Sequence, residues 1–223
     1  PDTTSIILTQ TGGGCRATNY IPFLELALKQ AGFENVSIIS LNIVGLGKQP
    51  GFVYTPNLVN RLIQAIIYGD LFMKVLYRTR PYEKVPGSAL NLYYKWNEKA
   101  KIILTRGNKH IFDKSIKDII YEFDNLEIND INKPKVAVVG EIFAKYHPIA
   151  NDNIITSIEK SGAEVVMPDL IDFFYYSLYN ADFKSKYLAG SRIKKQASKV
   201  AINYLDYYRR STIEGLSLSN RFT

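Results

Sequence analysis

Thr9-Gln10-Thr11-Gly12-Gly13-Gly14-Cys15-Arg16-Ala17-Thr18-Asn19-Tyr20 lies between an apolar run, Ile6-Ile7-Leu8, and an amphipathic one that opens with Phe23 and Leu24. The order of apolar run, glycine turn and amphipathic run reads as strand, turn and helix N-terminus. Such turns hold anions and reactive or metal-ligating thiolates. Residues 4–10 are β-branched and apolar and predict a buried strand. Phe23, Leu24, Ala27, Leu28 and Ala31 fall on one helical face. Thr18 or Asn19 can cap that helix, Pro22 is tolerated in its first turn and Gly32 ends it. Val36–Ser40 predicts a second strand. Strand, helix and strand at this spacing form a βαβ unit with parallel strands and a right-handed crossover.

Beyond that unit, residues 42–55 read as a loop. Its Gly45-x-Gly47 pair does not make a dinucleotide fingerprint, because Pro50 stands where the third glycine would fall. From Pro56 to Asp124 the pattern is helical throughout. One helix is expected over Asn57–Tyr77, with a break at Arg78-Thr79-Arg80-Pro81. A second is expected from near Pro86 towards Leu104 and a third over about Ile111–Phe123. Three helices without an intervening strand read as an insertion beside a sheet. After an acidic, Asn-rich linker, Pro134 opens a second α/β stretch. Lys135–Val139 and Glu164–Met167 are expected strands. A helix through Ile154, Ile155 and Ile158 separates them, and helices broken near Gly190 follow.

The expected fold is therefore α/β: an open parallel sheet with helices on both faces and a helical insertion. The expected layout is a first βαβ unit at 1–55, the insertion at 56–125 and the second α/β unit at 134–223, all within one domain of a longer chain that begins before Pro1. Ligands of such sheets bind beyond the carboxyl ends of the strands. The cysteine loop and the Gly140-Glu141 loop would then share one edge.

Composition narrows the function classes. No apolar run approaches the length of a membrane span and no signal peptide opens the chain, so a cytoplasmic protein is expected. Cys15 is the only cysteine in 223 residues, which excludes an internal disulfide and fits a reducing compartment. The net charge of +7 draws on a basic run of Lys184, Lys186, Arg192, Lys194, Lys195, Lys199, Arg209 and Arg210. That run reads as a solvated helix face, and nucleic acid is not an expected partner. The 16 Tyr and 11 Phe fall mostly at helical spacing, which fits core packing.

At a helix N-terminus beside Arg16, the Cys15 thiol is expected to favour its thiolate form, with the three glycines aiming amides at a ligand. A phosphatase Cys-x5-Arg loop fails because Ile21 occupies the arginine position. A dithiol site lacks its second cysteine, and a phosphate-binding P-loop lacks the Lys-Ser/Thr pair. Three readings stay open. One is a Cys–His nucleophile, with His147 better placed on a strand-end loop than His110. Another is a small buried filler. The third is a metal or cluster ligand, which needs further thiolates from elsewhere.

Two stretches carry a family resemblance. Gln10–Ile21, with Ala31-Gly32-Phe33-Glu34-Asn35-Val36 and Ile39-Ser40-Leu41-Asn42, resembles the 2-hydroxyacyl-CoA dehydratase / benzoyl-CoA reductase superfamily. The nearest branch is the large CoA-substrate-specific enzyme activases, activators of 2-hydroxyglutaryl-CoA dehydratase. Val139–Pro148, with Ala150-Asn151 and Val166-Met167-Pro168-Asp169, is similar to the Gly-Glu-Ile loop of the same superfamily. Where dehydratase subunits carry Gly-Pro-Cys-Arg, this chain has Gly14 before Cys15.

The resemblance implies a Rossmann- or flavodoxin-like domain and a [4Fe-4S] iron–sulfur cluster for low-potential electron transfer. Cys15 would be one metal ligand, the others lying upstream of Pro1. Gly12, Gly13, Gly14, Arg16 and Asn19 would line the cofactor, and Glu141 and His147 are the candidate acid/base groups. The implied partners are the remaining domains of the parent protein or a dehydratase subunit, with a CoA ester as ligand. The alternative is a non-catalytic interaction or scaffold domain.

Overall fold

The computed structural model describes residues 4–10, 15–42, 55–188 and 190–222. The chain divides into two units, Pro1–Thr55 and Pro56–Thr223.

In the first unit, β1 (Ser5–Gln10), a 3₁₀ turn (Arg16–Asn19), α1 (Tyr20–Gln30) and β2 (Ser37–Asn42) follow in order. β1 and β2 pair in parallel from Ser5 opposite Ser37 to Gln10 opposite Asn42, as the βαβ pattern predicts. α1 ends where Gly32 takes φ +78°, a left-handed conformation that suits glycine, and the Phe33 amide turns back to the Leu28 carbonyl at 2.8 Å. No α1 residue is buried, and Phe23 and Leu26 stay exposed.

The second unit is built on helices. α2 (Pro56–Tyr77), α3 (Ser88–Arg106) and α4 (Lys109–Asp124) are followed by β3 (Lys135–Ala137), α5 (Ile142–Tyr146), α6 (Ile154–Lys160) and β4 (Glu164–Val166). α7 (Ile171–Tyr187) and the 26-residue α8 (Arg192–Ser217) complete it. α2 buries Ile67, Tyr68, Leu71, Phe72 and Val75, and α4 buries Phe112, Ile116, Ile119, Ile120 and Phe123. Both sets recur at helical spacing, so each helix presents one apolar stripe. These stripes meet Trp96 of α3, Tyr175 of α7 and Leu205 and Tyr208 of α8 in one core. Among the described residues no helix is long and apolar enough to cross a membrane.

The expected open parallel sheet, and with it a Rossmann- or flavodoxin-like architecture, is overturned. The strands form two separate two-stranded sheets, β1-β2 and β3-β4, and the structure is mostly helical. A doubly wound sheet buries its strands on both faces. Here β3 is three residues long and every one of them is exposed. Residues 56–124 do not decorate a sheet; with α7 and α8 they supply the main core. Among the described residues β1, which precedes the cysteine loop, and β3, which precedes Gly140-Glu141, belong to different sheets, so the two loops do not follow strands of one sheet as expected.

Residues 220–222 clasp this helical body. The Arg221 guanidinium donates to the carbonyls of Phe123, Asp124 and Leu126 at 2.5, 3.0 and 2.8 Å, closing the carboxyl end of α4. The Asp124 carboxylate accepts the amides of Asn220 and Arg221, and Phe222 is buried beside Arg78. Charge-assisted bonds at a helix C-terminus stabilise more than neutral ones. Arg221→Ala is expected to lower the unfolding free energy by about 2–3 kcal/mol, read by urea denaturation.

Candidate functional site

Cys15 is a free, exposed thiol in extended backbone, φ −113° and ψ 146°, just ahead of the 3₁₀ turn. The Thr18 amide donates to the Cys15 carbonyl at 3.1 Å, which closes that turn. Gln10, the last residue of β1, donates from Nε2 to the Thr18 carbonyl at 2.5 Å and accepts from the Ser40 hydroxyl of β2 at 3.0 Å. One side chain thus ties the thiol-bearing turn to the carboxyl ends of both strands. The reading of Cys15 as buried filler is overturned by its exposure.

The helix geometry differs from expectation in one respect. α1 begins at Tyr20, so a whole 3₁₀ turn separates Cys15 from the α-helix whose dipole was to act on it, and that influence fades within a turn. Asn19 sits at the N-cap position of α1 without a side-chain cap bond, and Arg16 is exposed. Gly12, Gly13 and Gly14 lie outside the described residues, as does the Gly45–Pro50 stretch.

Glu141 and His147 have local structural partners. The Glu141 carboxylate accepts the Ala144 amide at 2.9 Å and caps α5. His147 is exposed, stacks on Phe143 with ring centroids 4.8 Å apart, and accepts the Ala150 amide at Nδ1 at 3.4 Å.

The carboxyl ends of β3 and β4 lead into a charged cluster with no counterpart in the sequence expectations. Asp70 of α2 accepts the amides of Leu170 and Ile171 at 2.7 and 2.9 Å, capping α7 from a neighbouring helix. Asp169 pairs with Lys74 at 3.2 Å and Arg209 at 2.9 Å, and Arg209 also reaches Asp172 at 2.8 Å. Tyr146 donates to the Pro168 carbonyl at 2.6 Å. Burial pushes the Asp70 carboxyl up to about 6 despite the two amides, and burial followed by the nearby carboxylates raises the Tyr146 phenol. The cavity at this cluster holds only about 10 Å³, one water in size. No small-molecule substrate fits there, so the cluster serves to dock α7 and α8 on α2. The one signal for it in sequence is a carboxylate inside the apolar run Ile66-Ile67-Tyr68-Gly69-Asp70-Leu71-Phe72.

Among the described residues no group of three or more His, Cys, Asp or Glu side chains is placed to hold a metal ion. No protein-family model matches the chain, and no curated protein or solved structure is significantly similar to it.

Proposed function

We propose that this chain is a domain of a CoA-enzyme-activase-like, 2-hydroxyacyl-CoA dehydratase-related iron–sulfur protein. In this reading Cys15 supplies one thiolate to a cluster used in low-potential electron transfer. The observation that carries it is the exposed Cys15 thiol, followed by Arg16, at the start of a turn whose Thr18 carbonyl accepts from Gln10, the last residue of β1. The residue pattern around it is the one that resembles the superfamily.

The donor set of this chain does not fit a complete cluster. Iron–sulfur centres take several cysteines, and this chain has one. The remaining ligands belong to another polypeptide segment or to a partner subunit. The part left to this chain is to present one thiolate on a braced turn, with the Arg16 guanidinium as the nearest positive charge in sequence. Glu141 and His147 enter no step, since each has a capping or stacking role.

The intact protein carrying this domain, reconstituted anaerobically with iron and sulfide, is expected to show the visible charge-transfer band of an iron–sulfur cluster, bleached on reduction. A colourless protein after reconstitution contradicts the proposal. That result would favour the second reading, an interaction domain without chemistry, which the exposed apolar face of α8 supports.

A further inference from the structure

We propose that the free face of α8 is a docking site for an acidic amphipathic helix of a partner protein. Ile193, Ala197, Val200, Tyr204 and Tyr207 follow one another at alternating spacings of four and three, the seam of a helix built to pair with another helix. α8 packs on the core through Ser198, Leu205, Tyr208, Ser211, Thr212 and Gly215, so the free face is the stretch from Ile193 to Tyr207, ending where Ser211 enters the core contact. The seam stays open: Ile193 is 81% and Val200 69% exposed. A shallow groove, wide open to solvent, runs along it, lined by Ala197, Val200, Ala201, Asn203, Tyr204 and Tyr207.

The two aromatic residues of the groove are held in place before any partner arrives. The Tyr204 hydroxyl hydrogen-bonds the Asn60 carboxamide oxygen. Lys109 Nζ lies 4.6 Å over the Tyr207 ring, and the Tyr208 ring meets both tyrosines edge-on at 5.4 and 5.3 Å. Fixed tyrosines beside an open groove are the usual anchors of a binding surface, because little side-chain entropy is lost on contact.

Charge selects the occupant. Arg192, Lys199 and Arg210 are exposed on the outer side of the seam. From Arg192 to Arg210, α8 carries six Lys or Arg and one carboxylate, Asp206, which accepts from the Tyr175 hydroxyl at 2.6 Å. The Asp182 carboxylate of α7 is engaged by Lys195 at 3.0 Å. A second copy of this chain would bring the same cations to the contact, whereas a helix with acidic flanks would be complementary along its length. The seam is independent of the cluster reading, since its test involves no iron.

The probe is a fluorescently labelled synthetic peptide with Leu at the a and d positions and Glu at e and g. A companion carries Lys in place of Glu. In an anisotropy titration the Glu peptide is expected to bind the 1–223 chain at least about tenfold more tightly than the Lys peptide, with affinity falling as salt rises. Ile193→Ser with Val200→Ser should weaken that binding about tenfold or more, leaving the circular dichroism spectrum and Tm unchanged because both residues are solvent-facing. Arg192→Glu with Lys199→Glu should reverse the preference between the peptides. The proposal is overturned by any of four results: no binding of the Glu peptide, equal binding of both peptides, binding indifferent to the serine pair, or sedimentation showing a dimer of this chain that the serine pair dissolves. Retention of duplex DNA at this face, without peptide binding, overturns it as well.

Discussion

Phe112→Ala lowers the unfolding free energy by about 3–5 kcal/mol, the range for removing a buried phenylalanine ring. Phe112 has no exposed surface. Its ring meets the edge of Tyr68 of α2 at 4.9 Å and Tyr208 of α8 at 6.4 Å, so it sits where three helices converge. Tyr68 in turn shares a hydrogen bond of 2.5 Å with Ser115, and burial pushes its phenol up to about 12. Truncation therefore removes apolar transfer energy and leaves a cavity that a hydrogen-bonded tyrosine is poorly free to fill. Phe112→Leu keeps most of the volume and should cost less than about 1.5 kcal/mol. Urea titration followed by circular dichroism separates the two variants. A loss below about 1 kcal/mol for the alanine variant would mean that residues 56–124 are a dispensable decoration and that the core lies elsewhere.

The second large effect is a pH dependence centred on Asp70. Its carboxyl is raised from 3.8 to about 6 in the folded chain, by burial first, with the Ile171 and Leu170 amides and Arg209 opposing and Asp169 assisting. A group whose folded pKa is raised binds its proton more tightly in the native state than in the unfolded one. Its contribution to stability is fully present below the unfolded value and is lost as pH rises through the folded value. A rise of this size corresponds to about 2–3 kcal/mol. In Asp70→Asn this contribution does not titrate. The stability of wild type minus that of Asp70→Asn should therefore fall by about 2–3 kcal/mol between pH 4 and pH 7, measured by denaturant unfolding at each pH. A flat difference, or one that grows with pH, contradicts the burial of this carboxylate.

Most of the longer elements were legible because their boundaries are written locally, whereas the short α5 was not, and β1, expected to be buried, has no buried residue. Gly32, Gly107 and Gly162 all take positive φ just past a helix, and Asn108 caps α4 by accepting the Ile111 amide at 3.1 Å. Pro81 falls in the break after α2, and Gly190 separates α7 from α8. The parallel direction of β1 and β2 followed from the short helical crossover between them.

Assembly was not legible, because four strands read one at a time do not say which strands pair. β3 and β4 run three residues each and, among the described residues, pair only with one another, so the sheet stays two-stranded there. The breadth of the buried stripe on α4, from Phe112 to Phe123, was the sequence clue that the helices bury one another. The charged cluster depends on Asp70 and Leu170 meeting across a hundred residues, a contact no local pattern announces. At the candidate site, the exposure of Cys15 rules out the buried-filler reading, whereas the brace of its turn, Gln10, belongs to a pairing visible only in three dimensions.

The central claim rests on one sulfur atom, and iron content tests it most directly. The intact protein carrying this domain and its Cys15→Ser variant are reconstituted anaerobically side by side, and iron and acid-labile sulfide are measured per chain. The account predicts that the serine variant loses most of its iron and sulfide while its circular dichroism spectrum is unchanged, since Cys15 is exposed and makes no packing contribution to the core. Equal iron and sulfide in the two proteins would contradict it.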